Sequence, residues 1–137
     1  MSQSPTIPDH NHRKIQTIRI LSHGPNTARR LGWRLAEQGF EIETCRITET
    51  FTLDSTETLD QILMIIDLGW SEPQIEISMN ILFAITKRAN PPRIVALIPY
   101  LDPESRPFWS ELGVFLALDQ TTPPPDIVAS ILHTRPL

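Results

Sequence analysis

The sequence predicts an α/β domain: a parallel sheet with helices on both faces. Short apolar runs at 17–21, 62–66, 94–98 and 114–118, with an alternating segment at 40–45, are separated by stretches of helical spacing. That strand–helix alternation is the pattern of a parallel sheet. Prolines and glycines fall at the ends of these runs rather than inside them. Asp67 closes the run Ile62-Leu63-Met64-Ile65-Ile66 and precedes Leu68-Gly69-Trp70-Ser71-Glu72-Pro73. An acid at the tip of a buried strand, with a loop after it, lies where open α/β sheets place their chemistry.

Composition bounds the rest. At 137 residues, 40% apolar and 20% charged, the chain is one globular domain with a single substantial core. A net charge of −4 and the lack of a basic stripe argue against nucleic-acid binding through phosphate neutralisation. The apolar runs are far shorter than the roughly 20 residues of a membrane helix, and no basic-then-apolar leader opens the sequence, so no membrane role is expected. The single cysteine, Cys45, fits a reducing cytoplasm and reads as a small strand residue.

The polar, unpatterned residues 1–14 are expected to form a mobile tail, with the domain spanning 15–137. The first strand, 17–21, turns through Ser22-His23-Gly24-Pro25. Asn26 is the expected N-cap of a helix over 27–38, with Ala28, Leu31 and Leu35 on one face and Gly39 as its stop. The second strand follows at 40–45. Residues 46–60, rich in threonine, favour extended structure, with a turn of helix at 55–59 as the alternative.

After the third strand, residues 75–89 satisfy two templates. Ile75, Ile77, Met79, Ile81, Phe83 and Ile85 alternate like a strand, while Ile75, Met79, Leu82 and Ile85 follow helical spacing. The length between Pro73 and Asn90 decides for a helix, and its excess of apolar residues predicts cover on more than one side. A fourth strand lies within 93–100. A short helix starts at Asp102-Pro103-Glu104-Ser105, carries Pro107 in its first turn and ends at Gly113. The fifth strand, a loop over 119–125 and a final helix capped by Asp126 and running to His133 complete the pattern. His133 at the end of that helix complements its dipole.

Four segments carry a family resemblance: NTARRLGWRLAEQGFEIETC, ILMIIDLGWSEP, RIVALIPYLDPESRPFWSELG and FLALDQTTPPPDIVASIL. In order and spacing they resemble a response-regulator receiver domain over nearly the whole folded part. The resemblance implies a flavodoxin-like sheet of strand order 2-1-3-4-5 with Asp67 at the phosphoacceptor position. It also implies departures. The acidic pair that holds Mg²⁺ in receivers falls on Ser22 and His23. The Thr or Ser at the end of strand four falls on Ile98 or Pro99, and the lysine after strand five on Asp119 or Gln120.

Magnesium wants carboxylate oxygens, and phosphoryl transfer depends on positioned positive charge. The expectation is therefore an atypical, non-catalytic receiver-like module with no cofactor and no metal, whose output passes through a protein partner or a homodimer. The alternative is a phospho-accepting receiver using Asp67 with Mg²⁺. Asp67 also fits an Asx turn, accepting a bond from the Gly69 or Trp70 amide. Trp33, off the apolar face of its helix, and Trp70, over the site, are interface candidates, as are Trp109, Phe115 and Ile127 by resemblance to the usual receiver output surface. A third reading rests on KRANPPRIVALIPY, which is similar to a segment of the amino-terminal half of ribose-phosphate pyrophosphokinases. That family's acidic and basic motifs should fall near 46–49 and after Tyr100; Arg-Ile-Thr-Glu and Leu-Asp-Pro-Glu-Ser-Arg stand there instead.

Overall fold

The computed structural model describes residues 16–54, 57–59 and 61–133. Five strands, β1 (Thr17–Ser22), β2 (Glu41–Arg46), β3 (Ile62–Asp67), β4 (Arg93–Ile98) and β5 (Leu116–Asp119), form one sheet of order β2-β1-β3-β4-β5. Every pairing is parallel. Among the described residues four helices connect or follow them: α1 (Pro25–Glu37), α2 (Glu72–Thr86), α3 (Arg106–Leu112) and α4 (Pro124–His133). A 3₁₀ turn over Pro103–Ser105 leads into α3. This is the flavodoxin-like architecture and strand order expected. The tail at 1–14 and part of the 55–59 turn lie outside the described residues.

Alternation along the central strands splits the core in two. Ile18, Ile20, Leu63, Ile65, Val95 and Leu97 pack under α1 and α4. Leu21, Met64, Ile66, Ile94, Ala96 and Ile98 face the other way, under α2, α3 and the β2–β3 connector. Both faces of β1, β3 and β4 are thus covered, and each of these side chains larger than Ala96 contributes roughly 1.5–3 kcal/mol by leaving water. The β2–β3 connector carries no helix among its described residues. Instead Leu59 and Ile47 are buried from it, with Phe51 and Leu53 packed alongside.

The connector is also tied by charge. Arg19, on the face shared with Leu21, pairs with Glu43 of β2 at 2.9 Å and with Glu57 of the connector at 2.5 Å. Arg88 beyond α2 donates to the carbonyls of Glu57 (2.9 Å) and Asp54 (2.8 Å). No helix among the described residues is long and apolar enough to cross a membrane.

Several boundaries differ from expectation for local reasons. Helix α1 begins at Pro25, so its N-cap is Gly24 and Asn26 is already helical, with no side-chain cap. Proline is favoured in that first turn because its missing N–H is not needed there. Pro124 likewise opens α4 two residues ahead of Asp126, which sits in the first turn. Phe40 belongs to the end of α1 rather than to β2, since its N–H donates to Leu35 O. Val114 similarly closes α3 through Trp109 O, and β5 starts only at Leu116. Residues 72–86 are helical, as length required, despite the perfect alternation.

Candidate functional site

The carboxyl ends of β1, β3, β4 and β5 converge around Asp67, whose side chain is 6% exposed. Asp67 pairs in register with Leu97, and Leu68 N–H continues the ladder to Leu97 O at 3.0 Å. The chain then turns sharply. Gly69 adopts φ +86° and its N–H donates to Asp67 Oδ1 at 2.8 Å, the Asx turn expected from the sequence. The loop is closed by a capping box: Ser71 accepts from Gln74 N–H, and Gln74 Oε1 accepts from the N–H groups of Trp70 (2.9 Å) and Ser71 (3.3 Å). Ser71-Glu72-Pro73-Gln74 spells that box in the sequence, a signal the reading of residues 71–74 missed.

A second donor reaches the carboxylate. Gln120 Nε2 donates to Asp67 Oδ1 and lies 3.4 Å from Gly69 O. Of the two residues that the resemblance placed after strand five, Gln120 is the one that meets Asp67. Asp119 turns away and accepts from Leu101 N–H (2.8 Å), Thr121 N–H (2.8 Å) and Thr121 Oγ1 (2.5 Å). Those bonds hold its carboxyl below the usual carboxylate range.

The remaining positions are occupied by groups that already have partners. Ser22 Oγ donates to Gly24 O at 2.9 Å. His23 Nε2 stands 2.5 Å from Ser78 Oγ, a fully buried hydroxyl that reaches the carbonyls of Asp67 and Leu68 at 3.4 Å. Burial pushes the imidazole below its ordinary pKa, partly offset by the nearby Asp67 charge. Ser78 was not singled out by sequence reasoning, because within an apolar helix one serine carries no signal. Ile98 is buried and Pro99 half-buried, and neither side chain can donate to an oxyanion.

This donor set does not suit Mg²⁺. One carboxylate oxygen already accepts two hydrogen bonds, and the neighbours are a hydroxyl committed to a turn and an imidazole against a serine. Hard cations require several oxygen ligands, mostly carboxylate. Among the described residues no cluster of three or more His, Cys, Asp or Glu could hold a metal.

The interface candidates divide by exposure. Trp33 is exposed on the outer face of α1, Trp70 is 49% exposed, and Phe115 is exposed with the Arg93 guanidinium 5.3 Å over its ring. Trp109 is only 9% exposed and Ile127 only 3%, so both are corrected to core residues. Trp109 packs with Val114 and Ala117 while its indole N–H donates to Ser105 Oγ at 3.2 Å; Ile127 faces α1 and the sheet. Tyr100, which sequence reasoning passed over, is 81% exposed and stacks edge-on against Trp70, ring centroids 5.4 Å apart.

Away from Asp67, a cleft of about 590 Å³ lies between the connector (Phe51, Leu53) and α2 (Ile77, Ile81, Ala84), with Arg88 at its edge. This leaves one face of α2 without full cover, which its all-round apolar composition would otherwise favour.

No family model matches the chain, and no curated protein matches it. Solved structures do. The chemotaxis response regulator CheY4 of Vibrio cholerae superposes with a TM-score of 0.68 at 13% identity, covering 88% of this chain and 98% of that one. A response regulator from Thermotoga maritima gives 0.67 at 16% identity, covering 88% and 97%. The response regulator TrrA of Thermotoga maritima, solved with Mg²⁺ and beryllium fluoride, gives 0.62 at 18% identity, covering 86% and 97%. The chain has the fold of CheY-like receiver domains.

Proposed function

We propose that this chain is an atypical receiver-like signalling module that acts in the cytoplasm through contacts with a protein partner and does not use phosphorylation of Asp67. The observation that carries the reading is the Gln120 amide on Asp67 Oδ1, opposite the Gly69 N–H. Phosphorylation would replace the carboxylate by an acyl phosphate of roughly −2 charge, about one unit more negative, at a site whose two donors are neutral. Transfer chemistry relies on cations to offset the charge that develops; among the described residues the groups bonded to this carboxylate are the Gly69 N–H and the Gln120 amide, and no cluster of three or more His, Cys, Asp or Glu could hold a metal. Ile98 and Pro99 supply no hydroxyl to pull a phosphorylated site into a second state. The module is non-catalytic in this reading, and its information passes through its surface.

The test is titration with Mg²⁺ and then beryllium fluoride, following tryptophan fluorescence and backbone amide shifts. Trp70 lies three residues from Asp67 and reports on its loop. The expected result is no saturable response at millimolar Mg²⁺. Saturable shifts centred on 21–24, 67–70 and 97–100 would overturn the reading in favour of a working phospho-receiver.

A further inference from the structure

The exposed aromatic pair beside Asp67 is held in place at some energetic cost. Tyr100 is the one non-glycine residue with a positive φ (+53°) among the described residues. Left-handed backbone costs a bulky residue roughly 1–2 kcal/mol. Its neighbour Leu101 is fixed by the bond from its N–H to Asp119 Oδ2 at 2.8 Å. Trp70 sits in the loop fastened by Asp67 and Gln74. Two separate, hydrogen-bonded loops thus bring a tryptophan and a tyrosine together edge-to-face, at 72°, and leave both in water. Neither ring is needed for the two cores. Large rigid aromatics in the open are the residues that dominate protein interfaces, and fixing them in advance lowers the entropy lost on binding.

The two segments that carry the pair are acidic, with the exposed Arg106, directly after Ser105, as the first base beyond Tyr100 in sequence. Between Asp67 and Thr86 the sequence carries Asp67, Glu72 and Glu76 and no lysine or arginine; between Pro99 and Ser105 it carries Asp102 and Glu104 and again neither. Glu72, Glu76, Asp102 and Glu104 are all exposed. Aromatic faces attract cations, and an acidic rim selects for them at a distance.

We infer that Trp70 and Tyr100 form a docking site for a basic segment of a partner protein, with an arginine or lysine side chain laid against the aromatic pair and its charge facing Glu72 and Glu104. This inference rests on the reading of the chain as a protein-binding module and names the class of partner that reading requires. It also places the contact at the carboxyl rim of the sheet, beside the Asp67 loop, rather than at Trp109 and Ile127, which are buried in the two opposite cores.

The full chain is titrated with a short arginine–glycine repeat peptide and with its glutamate counterpart, by tryptophan fluorescence and amide shifts. The arginine peptide is expected to give saturable shifts at 69–72 and 99–104, weakening as salt is raised, and the glutamate peptide none. Trp70→Ala is expected to weaken binding about three- to tenfold. Tyr100→Gly separates binding from folding: it relieves the left-handed strain, so the variant unfolds at a higher urea concentration while binding falls by a similar factor. The inference is overturned by equal response to both peptides, by no saturable response, or by shifts on another face that neither variant alters. None of these outcomes touches the Mg²⁺ and beryllium fluoride experiment. A positive result there would overturn the proposed function and leave the arginine-peptide result to be read independently.

Discussion

Asp67 Oδ1 accepts from two neutral donors in a buried position, and this determines how substitutions there behave. Asp67→Asn retains an oxygen for the Gly69 N–H and the Gln120 amide, so unfolding free energy is expected to change by no more than about 1 kcal/mol. Asp67→Leu leaves the Gly69 N–H without its acceptor and the Gln120 amide with only its long contacts to Gly69 O and Leu97 O, and is expected to cost about 1–3 kcal/mol. Urea denaturation of the two variants measures the difference directly. His23 makes the second expectation at this scale. Its folded pKa lies below the ordinary value near 6.5, so the unfolded chain binds the proton more readily. Stability is then full above that value and is lost as pH falls through it toward the lower folded pKa. His23→Gln should flatten the profile between about pH 7 and pH 5; an unchanged slope would place the titrating group elsewhere. The sequence already displayed Asp67, its Asx bond and the positions of Ser22 and His23. It left Asp119 and Gln120 undivided because neighbouring strand residues point to opposite faces, and an error of a single residue exchanges their roles.

The loop joining β3 to α2 shows how one element is specified from its start rather than from its pattern. Residues 75–85 fit strand and helix alike. The decision lies upstream, in the reciprocal Ser71–Gln74 capping box and Pro73 in the first turn. Gly69 is the other determinant. A Cβ built there would stand 2.6 Å from Gln74 Cβ and 3.0 Å from His23 Cδ2, on a backbone at φ +86°. Gly69→Ala therefore combines left-handed strain with a clash against the capping glutamine, and an expected cost of about 2–4 kcal/mol exceeds the roughly 1 kcal/mol of Ser71→Ala. Thermal or urea unfolding of the two variants ranks them; a reversed order would show that the cap, not the turn, holds the loop. Element ends were the least legible feature throughout. Pro25, read as the end of a turn, and Pro124, read as part of the 119–125 loop, instead occupy the first helical turn, because the residue type suits either side of that boundary.

For the molecule as a whole, the parallel sheet follows from the alternation of strand and helix and its order from the family resemblance, while the break in that alternation after β2, among the described residues, decides where the fold is thinnest. The central strands are buried on both faces, whereas β2 alternates only between exposed and half-buried residues. Helix α1 covers Ile42 on one face of β2; on the other face the cover is the connector, which carries no helix among its described residues and is held by a few apolar side chains and by Arg19 and Arg88. Nothing in a threonine-rich stretch announces that Glu57 will meet Arg19, since the two are 38 positions apart and only the folded sheet brings them together. The Arg19 guanidinium holds the Glu57 carboxyl below its ordinary value. Its contribution is therefore present above about pH 4.5 and is lost as pH falls through the lower folded pKa. Amide hydrogen exchange should resolve two levels of opening: β1, β3 and β4 protected to the level of global unfolding, β2 and the connector exchanging through a smaller opening. Glu57→Gln weakens the tether without touching either core. At neutral pH it should lower protection in β2 and the connector by a few-fold while leaving β3 and β4 unchanged. Loss of protection spread evenly across the sheet would instead mean that the connector unfolds only with the whole domain, and that the cleft beside α2 opens no earlier than the core.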